Sequence, residues 1–494
     1  MSDTDVVAIG KSGLLIFIGT ALSMVAGFIF RVALSNYLTG DVFGSVMLVI
    51  SMLGIISIPT VLGLNQGVVK FLSTTKNSKE ENSYVTLSLM ISGVVSIFAV
   101  IVLLIFIDSV HSVLFDATVD RMFILIFILC IPLISLNKVL KGALHGKMDT
   151  RRFVIHSKIF QPSSRLILAV GAAILLGSGF SVIGGILFAY FFTFIFGLKL
   201  LYSSGLKIEF NKEIDVFPLI KFSLPLVISS SIYIILTKID RILIGYYINP
   251  FSVGQYEVAM TISLLLGLFH STFSFLLFPK ISELESKNST EEIPPLYSHT
   301  TKWILACTTP AFIILLLRPD FLISLFGSQY PVQDIHPILI IVSTGLFIDA
   351  VVGPNGDALL GFGKSRHVLY YNLVAVVVNL VLNIVLIPIH GLIGAAVASL
   401  IGYVLMNGLK SFDLYFNHNI SIINWPAIKM MLAGALLTVP SLLFTETYQI
   451  AVEFAFLSLV GATSIIFSFF VLYLGDDMTE NDIQLIKELV NRLK

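Results

Sequence analysis

Over 494 residues, 30 Lys and Arg are balanced by 30 Asp and Glu, so net charge suggests no nucleic-acid or acidic partner. Hydrophobic residues make up 56% of the chain and charged residues only 12%, where a soluble domain carries about 25% charged. That balance excludes a soluble globular protein and fits an all-α chain that crosses a bilayer many times.

Apolar runs long enough to span, about 20 residues each, predict about fourteen helices. In chain order they fall near 12–38, 42–69, 83–107, 119–138, 153–177 and 180–201, then 218–248, 252–279, 303–325, 336–360, 367–388 and 391–409, and last 427–445 and 449–474. The first run is too long for the apolar core of a cleavable leader and reads as a span. Cys130 and Cys307 stand alone in apolar runs, with no metal or redox spacing, and read as small buried hydrophobes. With the N-terminus inside, 23 of the 30 basic residues fall in cytoplasmic loops or at inner helix ends, and only Arg121 and Arg318 fall outside. The positive-inside rule then predicts cytoplasmic N- and C-termini. The last stretch, 476–494, places Ile483, Ile486, Leu489, Val490 and Leu493 on one helical face; it is too short to span and reads as an amphipathic cytoplasmic tail.

The chain repeats itself at an offset of 210. Lys11 aligns with Lys221, Arg31 with Arg241, Tyr37 with Tyr247, Gly44 with Gly254 and Lys70 with Lys280; "VIGG" at 182–185 meets "LIGA" at 392–395. Six helices separate equivalent positions, so the halves are parallel repeats, an arrangement that transporters use around a midplane site. The expected organisation is a six-helix lobe at 1–201, a cytoplasmic linker at 202–217, a second lobe at 218–414, helices thirteen and fourteen within 415–475, and the tail.

Five basic residues remain at membrane depth: Arg31, Lys158, Arg165, Lys238 and Arg241. A charge there costs about 2.5–3.5 kcal/mol on insertion scales and is rare unless it pairs or lines a cavity. Arg31 and Arg241 sit at equal depth in the two repeats; the plain alternative is snorkelling to the headgroups, or a local pair of Arg241 with Asp240. Lys158 and Arg165 are seven residues apart on one face of a helix that also carries His156, Gln161, Ser163 and Ser164. That helix lines an aqueous cavity or makes a polar interface with a neighbour. Asp349 lies mid-helix just before Gly353 and Pro354, which should kink it; it is a candidate H⁺ or Na⁺ site, or the partner of a cavity arginine. Asn65, Gln66, Asn372, Asn379 and Asn383 are polar enough to bind a ligand or to bond between helices. No HExxH, Walker A or nucleophile–base motif is present, so neither an enzyme nor a cofactor is expected.

The stretch "PLVISSSIYIILTKIDRILIGYYINPFSVGQYEVA" at 225–259 and "NLVLNIVLIPIHGLIGAAVAS" at 379–399 resemble polysaccharide-biosynthesis flippases. These belong to the multidrug/oligosaccharidyl-lipid/polysaccharide (MOP) exporter superfamily. The resemblance covers nearly the whole chain. It implies two six-helix lobes in a V shape, a cell-membrane location, and translocation of a polyprenyl- or dolichyl-linked oligosaccharide for surface polysaccharide or protein N-glycosylation. Partners implied are that substrate, membrane lipids and glycan-assembly proteins; coupling to H⁺, Na⁺ or membrane potential is left open. Arg31, Arg241, Arg165 and Lys158 would line the anion site, with Lys238, Asp240 and Gln161 as secondary partners. The rival reading is a cation-coupled multidrug antiporter of the same superfamily, for which Asp349 is the pointer. A membrane glycan ligase would be expected to show a large outer loop, and the outer loops here are short.

Overall fold

The computed structural model describes residues 3–75, 77–114, 121–209, 216–421, 425–443 and 450–474. Among them there is no strand, and twelve helices are long and apolar enough to cross a membrane. The chain packs as two compact units.

The first unit takes in 1–261, 325–335 and 376–398. It opens with α1 (Asp3–Tyr37) and α2 (Gly40–Val61). Leu62 and Gly63 then turn left-handed, at φ 51° and 69°, and end α2, so that α3 (Leu64–Thr74) starts in a new direction. The predicted run at 42–69 is therefore two helices. A glycine supplies half of that turn at no steric cost. The Asn77 side chain accepts the Lys79 N–H and starts α4 (Ser78–Ile105), which α5 (Ile107–Leu114) follows. Next comes α6 (Arg121–Gly146), which runs eight residues past its predicted end at 138 and takes Lys141 into the helix.

The fifth predicted span is the least regular. It consists of α7 (Thr150–Val154), a π turn (Ile155–Phe160) and α8 (Gln161–Leu176). A π turn holds one residue more than an α turn and marks functional sites disproportionately. Gly177, at φ 60°, ends α8, and the Ser178 hydroxyl accepts the Ser181 N–H to start α9 (Gly179–Ser203). The described start of the predicted linker is tied down: Asn82 of α4 accepts the Lys207 N–H at 2.9 Å and Thr86 accepts the Glu209 N–H at 3.0 Å. Then follow α10 (Phe217–Tyr247) and α11 (Pro250–Ser263). Helices here approach through small residues, as membrane helices do. A Cβ on Gly44 would overlap the Pro250 carbonyl oxygen and stand 3.0 Å from the Gly254 nitrogen, so the repeat-related glycines pack backbone to backbone. The segment 325–335, predicted as an outer loop, is fastened to the same unit. Ser35 donates to the Phe326 carbonyl at 2.6 Å, and Gln329 donates to the carbonyls of Ser35 and Leu38.

The second unit takes in 262–324, 336–375 and 399–494. It holds α12 (Gly267–Ser286), α13 (Ile293–Leu317), α14 (Pro319–Ser324), all but the first turn of α15 (Val332–Val352), and α16 (Asn355–Gly361), the last two divided at Gly353 (φ 77°). The expected kink at Gly353–Pro354 is thus a full break. Helix α13 begins ten residues before its predicted start, which places Lys302 well inside it and buries it. Two predicted spans are one long helix, α17 (Ser365–His418), bent where Gly391 takes φ 58°, ψ −135°. Helices α18 (Trp425–Leu443) and α19 (Ile450–Leu474) stand where spans thirteen and fourteen were predicted. The apolar length of α10 within the described residues is only Phe217–Val227. That shortfall and the joined α17 account for twelve candidate spans against fourteen predicted. The predicted tail at 476–494 lies outside the described residues. Many large apolar side chains face outward, Ile97, Phe98, Ile167 and Leu175 among them, which suits a protein whose solvent is lipid.

Candidate functional site

The repeat-related arginines meet on one carboxylate. Arg31 of α1 donates its Nε to Oε1 of Glu257 at 2.5 Å, and Arg241 of α10 donates its Nε to Oε2 at 2.5 Å. Each also bonds the carbonyl one helical turn earlier on its own helix, Gly27 for Arg31 and Thr237 for Arg241. The two side chains thus reproduce the 210-residue repeat down to their hydrogen bonds. Glu257 is 3% exposed and Arg241 5%, whereas a quarter of the Arg31 side chain stays accessible. Both arginines are engaged by Glu257, and at ion-pair distance among the described residues Arg241 meets Glu257 rather than its neighbour Asp240.

Asp240 has partners of its own. It accepts from the Tyr256 hydroxyl at 2.9 Å and from Asn383 Nδ2 at 2.7 Å, and is 1% exposed. Tyr256 also lies under the Arg241 guanidinium, 5.9 Å from it. Lys238 lies along α2, where a Cβ on Gly54 would collide with its side chain. It stands within electrostatic range of Arg241, Glu257, Arg31 and Arg165. Arg165 is not part of the clamp: it stacks over the Phe30 ring at 4.7 Å and interacts with Tyr190, while its Nε has no hydrogen-bond partner among the described residues. The site therefore gathers four cations, Arg31, Arg165, Lys238 and Arg241, around two carboxylates.

Three predicted residues lie elsewhere. Lys158 sits in the π turn against Gly19 of α1, near Lys141 rather than the clamp. Gln161, at the start of α8, makes no side-chain hydrogen bond among the described residues. Asp349 belongs to the second unit, where its carboxylate is 3.6 Å from His270 Nδ1, so its partner is a histidine and not a cavity arginine. Among the described residues no cluster of metal-ligating side chains occurs.

Sequence reasoning missed Glu257. The signal was present in the repeat: Lys238, Asp240 and Glu257 align with Phe28, Phe30 and Met47. One copy is apolar at all three places and the other is charged.

An all-α, multi-pass membrane fold with a buried cationic centre is what the described residues build, and solved structures share that fold over nearly the whole chain. Against a solved lipid II flippase MurJ in an inward closed conformation, the TM-score is 0.78 at 16% identity, covering 94% of this chain and 100% of that one. An inward-facing multidrug resistance MATE family transporter of the MOP superfamily gives 0.67 at 15% identity, covering 83% and 95%. The fold is that of the MOP superfamily. The chain belongs to the polysaccharide biosynthesis protein family, whose sequence model matches residues 9–285; the MatE model matches 225–385. A relative from Haloferax volcanii, the probable low-salt glycan biosynthesis flippase Agl15, is 22% identical over 94% of both chains. A putative O-antigen transporter from Shigella flexneri is 23% identical over 72% of this chain and 85% of its own.

Proposed function

We propose that this protein is a flippase that carries a lipid-linked oligosaccharide from the cytoplasmic to the outer face of the cell membrane by alternating access. The observation that carries the reading is the buried excess of cations around Arg31 and Arg241. A lipid-linked glycan poses three physical problems. Its hydroxyls cost a few kcal/mol each if buried unpaired. Its phosphate or pyrophosphate costs far more. Its isoprenoid tail gains about 0.8 kcal/mol per buried CH₂ and stays in lipid. A polar centre within the bilayer answers the first two, and arginine binds phosphate oxygens bidentately.

In this reading Arg31, Arg241, Arg165 and Lys238 hold the phosphoryl head. Glu257 holds the two arginines in place, and Asp240, fixed by Tyr256 and Asn383, orients α10. The protein performs no covalent chemistry. Its N- and C-termini are cytoplasmic, and the Asp349–His270 pair of the second unit is where a coupling proton would bind. The names of the Haloferax and Shigella relatives support the substrate class. A drug antiporter for organic cations needs a site richer in carboxylates than in bases, the reverse of this one. The test is deletion of the gene followed by sidedness analysis of lipid-linked glycans. Complete glycan–lipid accumulating on the cytoplasmic face, with loss of surface glycan, is expected. Normal sidedness together with new drug sensitivity would transfer the assignment to the antiporter.

A further inference from the structure

A cavity of about 300 Å³ opens in the first unit, between α2, α3, α6, α7 and α10. Its polar lining is Ser57, Asn65, Gln66, Lys138, Lys141 and His145. It shares no lining residue with the arginine clamp. Lys138 donates to the neutral Ser57 hydroxyl at 2.5 Å, and Lys141 stands 5.7 Å from the Phe153 ring. Neither lysine has a carboxylate at ion-pair distance among the described residues. The next lysine in the chain, in the turn just past α6, marks the contrast: Lys147 is paired with Glu81 at 2.7 Å. Lys158, from the π turn, adds a third cation within electrostatic range of Lys141. Asn65 and Gln66 make no side-chain hydrogen bond among the described residues, so their amides are left to face the cavity.

Half-buried cations without counter-charge, beside open amide donors, are the chemistry of an anion site. The volume sets the class of anion. Ligand pockets run from about 300 to 1,000 Å³, so this one suits a phosphate or pyrophosphate group and is too small for an oligosaccharide. We propose that this cavity is a second anion-binding site, which takes a phosphate or pyrophosphate group, free or at the head of a lipid carrier. Its position suggests an order of use. Along α2, Ser57 meets Lys138 and Gly54 meets Lys238, so the two sites adjoin within one helical turn, roughly 4.5 Å along the axis. The sequence-derived topology puts the cavity at the cytoplasmic end. A headgroup would dock there before reaching the clamp. That order rests on the flippase reading; anion binding does not.

The experiment is calorimetry on the full-length protein in phosphatidylcholine nanodiscs, with inorganic pyrophosphate and with undecaprenyl pyrophosphate as probes. The K138Q/K141Q variant should weaken binding at least about tenfold, or abolish one of two sites, at an unchanged melting temperature. K138R/K141R, which keeps both charges, should stay within about threefold of wild type and guards against a folding artefact. Tighter wild-type binding of the lipid probe assigns the site to a carrier headgroup, and equal binding assigns it to the free anion. Wild-type affinity for both probes in K138Q/K141Q, or no binding of either probe by wild type, overturns the proposal. Lysine-dependent binding combined with normal glycan sidedness in the deletion would sink the flippase reading and leave the anion site standing.

Discussion

Glu257 is the residue on which the candidate site turns, because its two oxygens each hold a different guanidinium. Removing one partner of a buried ion pair strands the other and costs about 3–5 kcal/mol. Glu257→Gln strands two arginines, one of them partly solvated, so a loss of roughly 3 kcal/mol is expected, read as a lower denaturation midpoint in detergent. Arg31→Gln and Arg241→Gln should cripple glycan export while expression holds; full export in both would remove them from the site. Asp240→Ala removes one acceptor from the Tyr256 hydroxyl and one from Asn383 Nδ2, which keeps its bond to the Asn379 carbonyl, and should cost about 1–3 kcal/mol. The two arginines were legible because a charge deep in an apolar run is rare. Glu257 was not, because it lies within two turns of a predicted helix start, where an acidic residue reads as ordinary headgroup-level polarity. Its partner Arg31 is also 226 residues away, and no local spacing reports a contact of that range.

Among the elements, the apolar runs located the helices well and their ends poorly. Hydropathy marks where lipid begins, whereas α6 and α13 continue beyond that point on polar residues. The π turn was invisible because its signature is one extra residue, not a composition. It also qualifies the expectation that Lys158 and Arg165 share a face: both lean on α1, but Lys158 at Gly19 and Arg165 at Phe30. A π turn is an insertion into an α-helix. Deleting Ile159, which is exposed within it, should convert the turn to regular helix and leave the melting temperature near wild type. Deleting Ile167 from regular α8 turns everything beyond it by about 100° and should unfold the protein; equal effects of the two deletions would contradict the insertion account. The paired glycines give a second comparison. Gly44→Ala drives a Cβ into a backbone carbonyl, whereas Gly254→Ala meets atoms no nearer than 3.1 Å. Overpacking of this kind costs about 1–3 kcal/mol, so the first should melt well below the second.

For the molecule as a whole, the duplication was the most legible feature, since three basic residues and the glycines recur in one register. The lobes it defines and the compact units defined by packing are different partitions: α10 opens the second repeat yet packs in the first unit against α2. Covalent order records how the chain was duplicated, and packing records which faces found partners. The orientation inferred from basic residues has a direct check. In a C130A/C307A background, Ser73→Cys should react with an impermeant maleimide only once the cytoplasmic face is opened, and Arg121→Cys should react from outside. The reverse pattern would invert the topology.

The charged triplet Lys238, Asp240 and Glu257, set against Phe28, Phe30 and Met47, has a consequence for direction. Two identical copies of a parallel repeat would present a substrate with two orientations of equal energy, half a turn apart about the membrane normal, and a molecule with a charged head and a long tail would have no preferred one. Here the copies share the arginines and differ in charge at the three places named. The site has a front and a back, and a ligand with two unlike ends is expected to settle in it in one orientation.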